Sequence, residues 1–445
     1  MHGLPQSGNG SPDPAREQDL HLPAGRMAIL YTVMLVSAAG NTAMQSVMPS
    51  IGTRVGVADV WVSLAFTWSA VLWTIMAPFW ARRSDRRGRK RMMSLGMVGF
   101  TVCFAATGLV LHLGLIGLFS GVTTMILFAA ARSLNGLLGS AAGPAVQAYV
   151  ASRTGRERRT RALAMLASSW GLGTVLGPAI APFFILEPVG LVGPFIASTL
   201  CGIVVLILLR LRLPDDTSRF AARGTALAYP MGANTAQPLD GSEADNDEEP
   251  GERLRWADRR VRGWVATGLL GGHAQSMIMG VIGFLLLDRL GMRGDPEAGA
   301  GPIGIVLTAG AVTTLLAQWG LIPMLNPRPR TLVLSGMMTA IAGVALLAVG
   351  RDLHAIMIGF AVFSLGAGLF RPGFSAGTSL AVERREQGEA AGIVSSVNGA
   401  AVIVAPAVGV WLYNHVEWLA WTAIAAQCIA GIVIILGQGE PDREA

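Results

Sequence analysis

The sequence predicts an all-α integral membrane protein with twelve transmembrane helices in two pseudo-symmetric six-helix halves. Three observations carry that prediction: recurring apolar windows, an arginine asymmetry among the turns between them, and a matched repeat in the two halves. The chain of 445 residues is 52% hydrophobic and only 14% charged, with a mean hydropathy of +0.51. That is too apolar for a soluble domain of this size. Twelve windows are each long enough to cross a hydrocarbon core of ~30 Å as a helix of ~20 residues. They run roughly over 27–51, 60–82, 91–111, 119–150, 160–184, 190–212, 262–287, 301–323, 331–350, 354–381, 389–412 and 416–436. In lipid every backbone amide must be bonded internally, so such windows form a helical bundle.

The net charge of +6 comes from short clusters and not from a basic face, which argues against nucleic acid as a partner. The cluster "WARRSDRRGRKRMM" follows the second window, and Arg153, Arg156, Arg158, Arg159 and Arg161 follow the fourth. Arg328 and Arg330 follow the eighth, and Arg384 and Arg385 the tenth. Odd-numbered turns are sparse: Arg54 after the first, Arg289 and Arg293 after the seventh, Arg351 after the ninth. Cytoplasmic turns collect Arg and Lys, so even-numbered turns and both chain ends are expected in the cytoplasm. The polar leader Met1–Gly25 has no apolar core of its own and does not read as a signal peptide.

Five segments follow: a disordered tail over 1–26, a first half over 27–212, a cytoplasmic linker over 213–261, a second half over 262–436, and a tail over 437–445. The linker carries "DGSEADNDEEPGE", which cannot form a core. A repeat ties the halves together. "GPAVQAYVASRTGRERR" leads into "LGPAIAPFF", and "RPGFSAGTSLAVERREQ" leads into "VAPAVGVWLY". The same 34-residue step separates Pro144 from Pro178 and Pro372 from Pro406. Paired halves around a midplane site are an architecture of alternating-access transporters.

The turn after the second window resembles the signature turn of the major facilitator superfamily, Gly-x-x-x-Asp-Arg-x-Gly-Arg-Lys. Asp85, Arg86, Gly88, Arg89 and Lys90 match it, and Ala81 stands in place of the usual glycine. "RSLNG" in the fourth window is similar to the family's Arg-x-x-x-Gly element through Arg132 and Gly136. "GLGTVLGPAIA" in the fifth resembles the antiporter element of drug exporters through Gly173, Gly177 and Pro178. "GLIPMLNPRPRTLVLSG" resembles a decayed copy of the first signature. The resemblance implies that Asp85 faces the start of the eleventh helix in the outward-open state, and that Arg86 and Arg89 help shut the cytoplasmic side. It also implies that the fifth helix, bent at Pro178, packs against the eighth, where Gly301, Gly304 and Gly310 offer a small surface.

Arg132 lies about a dozen residues into its window, or ~18 Å deep. A charge at that depth is costly and needs a partner or a task. Arg371 is a second buried cation, nearer the cytoplasmic side. Asn41, Gln45, Asn135, His273, Gln275 and Asn398 are candidates for lining a substrate cavity, with Trp68, Trp73, Trp170 and Met279 as an apolar wall. Related exporters often carry an acid in the first helix, where Ser37 stands here; no Asp or Glu lies in the middle of any window. The proton site is then sought at His273, or at the window-end carboxylates Asp59, Asp85, Asp288 and Glu389. The three cysteines lack pairing or metal-type spacing, and the six histidines are scattered, so an enzyme finds no support. The expected protein is a monomeric, multi-pass exporter of small amphipathic or hydrophobic compounds in a bacterial inner membrane. A proton gradient, and no cofactor, supplies its energy. The alternative is an organic-anion or metabolite carrier, coupled or not.

Overall fold

In the computed structural model the described residues are 22–154, 156–215, 254–383 and 386–438. They form twelve helical rods and contain no strand. In the first half α1 is Ala24–Val55, α2 Asp59–Arg87, α3 Arg89–Leu115, α4 Gly121–Arg153, α5 Arg156–Ile180 and α6 Gly193–Arg212. In the second half α7 is Arg262–Arg289, α8 Pro296–Leu325, α9 Pro329–Val349, α10 Leu353–Leu380 and α12 Glu417–Leu436; α11 is Gln387–Ile403 continued by Ala405–His415. Eleven of these are long and apolar enough to cross a membrane. The other, α5, opens on "RERRTR" and continues as the uncharged, largely apolar stretch 162–180.

Local chemistry sets the ends. Gly56 closes α1 in the left-handed region (φ 75°), and Gly88 turns α2 into α3 at φ 92°, both conformations that a Cβ disfavours. Side chains of Ser120, Asp295 and Asp352 cap α4, α8 and α10. The rods overrun the predicted windows by several residues at their polar ends. In particular α1 begins at Ala24, inside the stretch expected to be a disordered tail. α4 tightens to a 3₁₀ turn at Gly139–Ala141, and α8 loosens to a π segment at Leu316–Leu321.

The packing repeats from half to half. α1 packs on α5 and α6, α2 on α4, and α3 on α4 and α6. Six helices later α7 packs on α11 and α12, α8 on α10, and α9 on α10 and α12. The halves meet where α2 touches α11, α5 touches α8, and α1 touches α7 and α8. The outer surface is apolar, with Ile75, Leu109, Ile126, Leu211 and Val433 all exposed. A surface of that kind suits acyl chains and not water.

Two faces can be distinguished. Lys90, at the start of α3, pairs with Asp215 just past α6 (3.1 Å). Arg330, at the start of α9, bonds the Leu436 carbonyl at the end of α12 (2.9 Å). These termini, with both ends of the 213–261 linker, define the linker face. The far face holds the opposite ends, where α1 turns into α2 and α7 into α8.

Candidate functional site

The interior charges come first, because they are the costliest groups to place. Arg132 on α4 is fully buried. Its Nη2 donates to Asn41 Oδ1 on α1 at 2.9 Å, and its guanidinium lies 5.0 Å from the centre of the Phe66 ring on α2. Nε and Nη1 have no hydrogen-bond acceptor among the described residues. Asn41 is held in turn by its Nδ2, which donates to the Ser37 carbonyl one turn earlier (2.8 Å). Ser37, at the position where an acid was sought, bonds back to the Val33 carbonyl and reaches Met97 Sδ at 3.8 Å.

The second half repeats the theme. Arg371 on α10 is buried, and its Nε donates to Gln275 Oε1 on α7 at 2.7 Å. Each half thus ties a buried guanidinium on its fourth helix to an amide on its first. Two residues earlier on α7, His273 is half-buried and its Nδ1 lies 2.7 Å from the Leu269 carbonyl of its own helix. A carbonyl can only accept, so Nδ1 carries the proton and Nε2 keeps a free lone pair in the neutral ring.

The remaining cavity candidates divide. Asn135 and Asn398 are buried, as is Trp73; Gln45 and Trp170 are half-buried. Asn135 stands beside Arg132's helix turn, and its Nδ2 has no acceptor among the described residues. Met279 is 40% and Trp68 50% exposed, the latter donating to Ser133 Oγ at 2.8 Å.

The small-residue elements are close-packing points. Gly136 lies against α2, where an added Cβ would come within 2.7 Å of the Ser69 carbonyl. Gly173 and Gly177 face α1, at Leu35, Ala38, Ala39 and Thr42. α5 also packs on α8, and it reaches that helix at the Pro178 bend. There the Pro178 carbonyl sits against Gly304, while Gly310 faces Phe360 on α10 and Gly301 faces open space. The glycine face packs on α1 because a backbone that lacks Cβ on one side closes on its nearest helix, and that is its neighbour in the same half.

In the signature turn Arg89 is buried, Lys90 holds Asp215, and Gly88 makes the left-handed turn. The side chains of Asp85 and Arg86 lie outside the described residues.

Sequence reading missed the best-formed polar cluster. At the far face Arg293 bonds Asp59 and Asp288, and Asp288 accepts the Tyr413 hydroxyl (2.8 Å). Beside it Arg289 pairs with Glu417 and donates to the Gly350 carbonyl (2.8 Å). Bonds to Asp59 first, and then to Asp288, raise the Arg293 pKa beyond its usual value. The signal available was weak: charged residues at the rim of a side whose turns are otherwise poor in them.

Twelve packed rods, a repeated six-helix plan and a polar interior built once in each half describe a membrane transporter. The Major Facilitator Superfamily profile matches residues 30–333 and 303–445, so the chain belongs to that superfamily, a family of transporters and not of enzymes. The tetracycline resistance protein, class B, of Escherichia coli is 23% identical over 92% of this chain and 94% of its own length. Multidrug resistance protein MdtG of Proteus mirabilis is 26% identical over 34% of this chain. Multidrug resistance protein 2 of Bacillus subtilis is 28% identical over 35% of it. The chain spans only 36% of the length of each of those two relatives. Among solved structures, the human organic anion transporter MFSD10 (TETRAN) superposes with a TM-score of 0.61 at 17% identity, over 93% of this chain and all of its own. The nucleoside transporter NupG does so with a TM-score of 0.63 at 10% identity, over 92% and 99%. At these identities the superpositions establish the fold.

Proposed function

We propose that the chain is a proton-coupled exporter of small amphipathic or hydrophobic compounds, resident in a bacterial inner membrane. It alternates between a cavity open at the linker face and one open at the far face, with the linker and both chain ends in the cytoplasm. The observation that carries the reading is the doubled interior site, Arg132–Asn41 in one half and Arg371–Gln275 in the other, set in otherwise apolar spans. Similarity to tetracycline and multidrug resistance proteins supports the substrate class. His273 is the group best suited to carry the proton, because its half-buried ring bonds the Leu269 carbonyl through Nδ1 and leaves Nε2 without a hydrogen-bond partner among the described residues. Asn135, Asn398, Gln45, Trp73 and Trp170 complete the lining.

The test is transport in proteoliposomes against a panel of fluorescent or radiolabelled compounds, with and without an imposed pH gradient. His273→Gln is expected to abolish gradient-driven efflux and to spare gradient-free counterflow. Survival of both would return the proton to a span-end carboxylate. Single cysteines at Arg87 and Ala298, both exposed, check orientation. Only the second should react with an impermeant reagent added outside cells.

A second reading is favoured by one observation. The buried guanidiniums occupy spans whose interiors hold no carboxylate, and an arginine cannot shed its charge. An anionic substrate group would complete the Arg132 site, whose Nε and Nη1 have no acceptor among the described residues, and that is the chemistry of an organic-anion carrier. Competition of acidic against neutral amphipaths in the same assay decides between the two readings.

A further inference from the structure

Arg293 stands in the short turn between α7 and α8, outside every motif of the sequence. A guanidinium has five N–H donors in a fixed fork, and here each has an acceptor. Nη1 donates to Asp59 Oδ1 (2.8 Å) and to Thr53 Oγ1 (3.3 Å). Nη2 donates to Asp59 Oδ2 (2.7 Å) and to Asp288 Oδ2 (3.1 Å). Nε donates to Asp288 Oδ1 (2.7 Å). The fork therefore grips two carboxylates at once, one from each half of the molecule. The Asp59 side chain is only 7% exposed, and the Phe284 ring lies 5.5 Å beneath the guanidinium.

The two grips differ. Asp288 is on the same half as Arg293, five residues away, and is pinned from α11 by Tyr413. Asp59 and Thr53 belong to the other half. When the halves rock apart, Arg293 must travel with Asp288 and release Asp59. The released carboxylate is not stranded, because it is the first residue of α2 and so meets the positive end of the helix dipole and water. A bidentate pair made half-buried and released into a solvated helix end is strong enough to hold a state and weak enough to be left.

We propose that Arg293 is the latch of the far face and Asp59 its keeper. Breaking this one cross-half fork is the step that commits the transporter to opening there. The inference rests on the rocking of the two halves, and not on what is carried or on which ion drives it.

The test reads distance and needs no substrate. In the full chain with Cys103, Cys201 and Cys428 replaced, spin labels at Ala58→Cys and Ala298→Cys sit on exposed positions of opposite halves. The parent should give mainly a short distance. Asp59→Asn and Arg293→Gln should each raise the ratio of long to short distances at least tenfold. The double variant Asp59→Asn with Arg293→Gln should open no further than the more open single variant, because both remove the same fork. An unchanged distribution in both single variants, in protein that elutes and unfolds like the parent, overturns the proposal. So does a double variant whose shift is the sum of the two single shifts, since the two residues would then act apart. Should either single variant fail to fold, Arg293→Lys keeps the charge and loses the fork. An intermediate shift supports the latch, and a parent-like distribution rejects it.

Discussion

The two faces of the bundle use the same side chains to opposite ends. At the far face Arg293 reaches across 234 residues to Asp59 and joins the halves. At the linker face Lys90 ties the first half to Asp215 at the start of the linker, and Arg260 at its other end bonds Asp258 beside it and Glu386 of the second half (2.7 Å). The Leu254 amide, near the end of the linker, likewise holds to the second half by donating to Glu389 at the start of α11. Apolar packing agrees. The cross-half approaches of Gly283 to Pro49 and of Gly304 to Pro178 both fall toward the far face. The difference teaches that charge at the far face selects a conformation, whereas these linker-face pairs hold each half, and the linker ends, in shape.

The largest effect expected from this contrast is at the far-face packing of α5 on α8. Replacing Gly304 by Leu puts a Cβ within 2.7 Å of the Pro178 carbonyl and 2.9 Å of Pro182 Cγ. Overpacking of this kind costs ~1–3 kcal/mol, and here the cost falls on the far-closed state alone. Flux should be lost while the far-face labels move apart. Normal flux with unmoved labels would break the comparison.

Next in size is Asp85→Asn. A charge at the linker-face end of α2 that biases the alternation by ~1–2 kcal/mol would shift populations about 5–30-fold. Transport should fall accordingly, with ligand binding retained. Equal flux at equal expression would remove Asp85 from gating and leave the linker face purely structural.

Arg260→Ala should do much less. Its pairs are solvent-exposed, at 43% for Arg260 and 18% for Glu386, and such pairs contribute ~0–1 kcal/mol. Flux within about twofold of the parent is expected; a loss as deep as that of Asp85→Asn would show that the linker pair also gates.

The smallest effect concerns pH. The hydrogen bonds of Arg260 hold the Asp258 carboxyl below its ordinary value of 3.8. A depressed carboxylate stabilises the fold above its unfolded value, and that contribution disappears as pH falls through the lowered folded value. Asp258 should therefore titrate below 3.8 in a carboxyl-detected NMR titration and move back toward it in Arg260→Ala. Near neutral pH the contribution of the pair is fully present and does not vary with pH.

Composition and order along the chain made the rods, their number and their pairing into halves legible. A helix in lipid satisfies its own backbone, so apolar length alone identifies it. The turn at Gly88 was equally local, as was the burial of Arg132 and Arg371, since depth follows from position along a rod. What each buried group touches was not legible. Asn41 meets Arg132 across 91 residues, and Gln275 meets Arg371 across 96; nothing in either local stretch names its partner. Gly173 and Gly177 read as small but did not say which neighbour they admit, and the structure chose α1.

The sequence by itself determined that this chain lies in a membrane as a twice-repeated helical bundle with two arginines deep in its spans. Hydropathy and helical rise are properties of consecutive residues, so they can be read in one dimension. Only the tertiary structure decided that Arg293 closes on Asp59, that His273 spends its Nδ1 proton on its own helix, and that the halves meet along α2–α11 and α5–α8. Those outcomes depend on rotation about each helix axis and on the rocking of the halves, and both are fixed by packing between residues far apart in the chain.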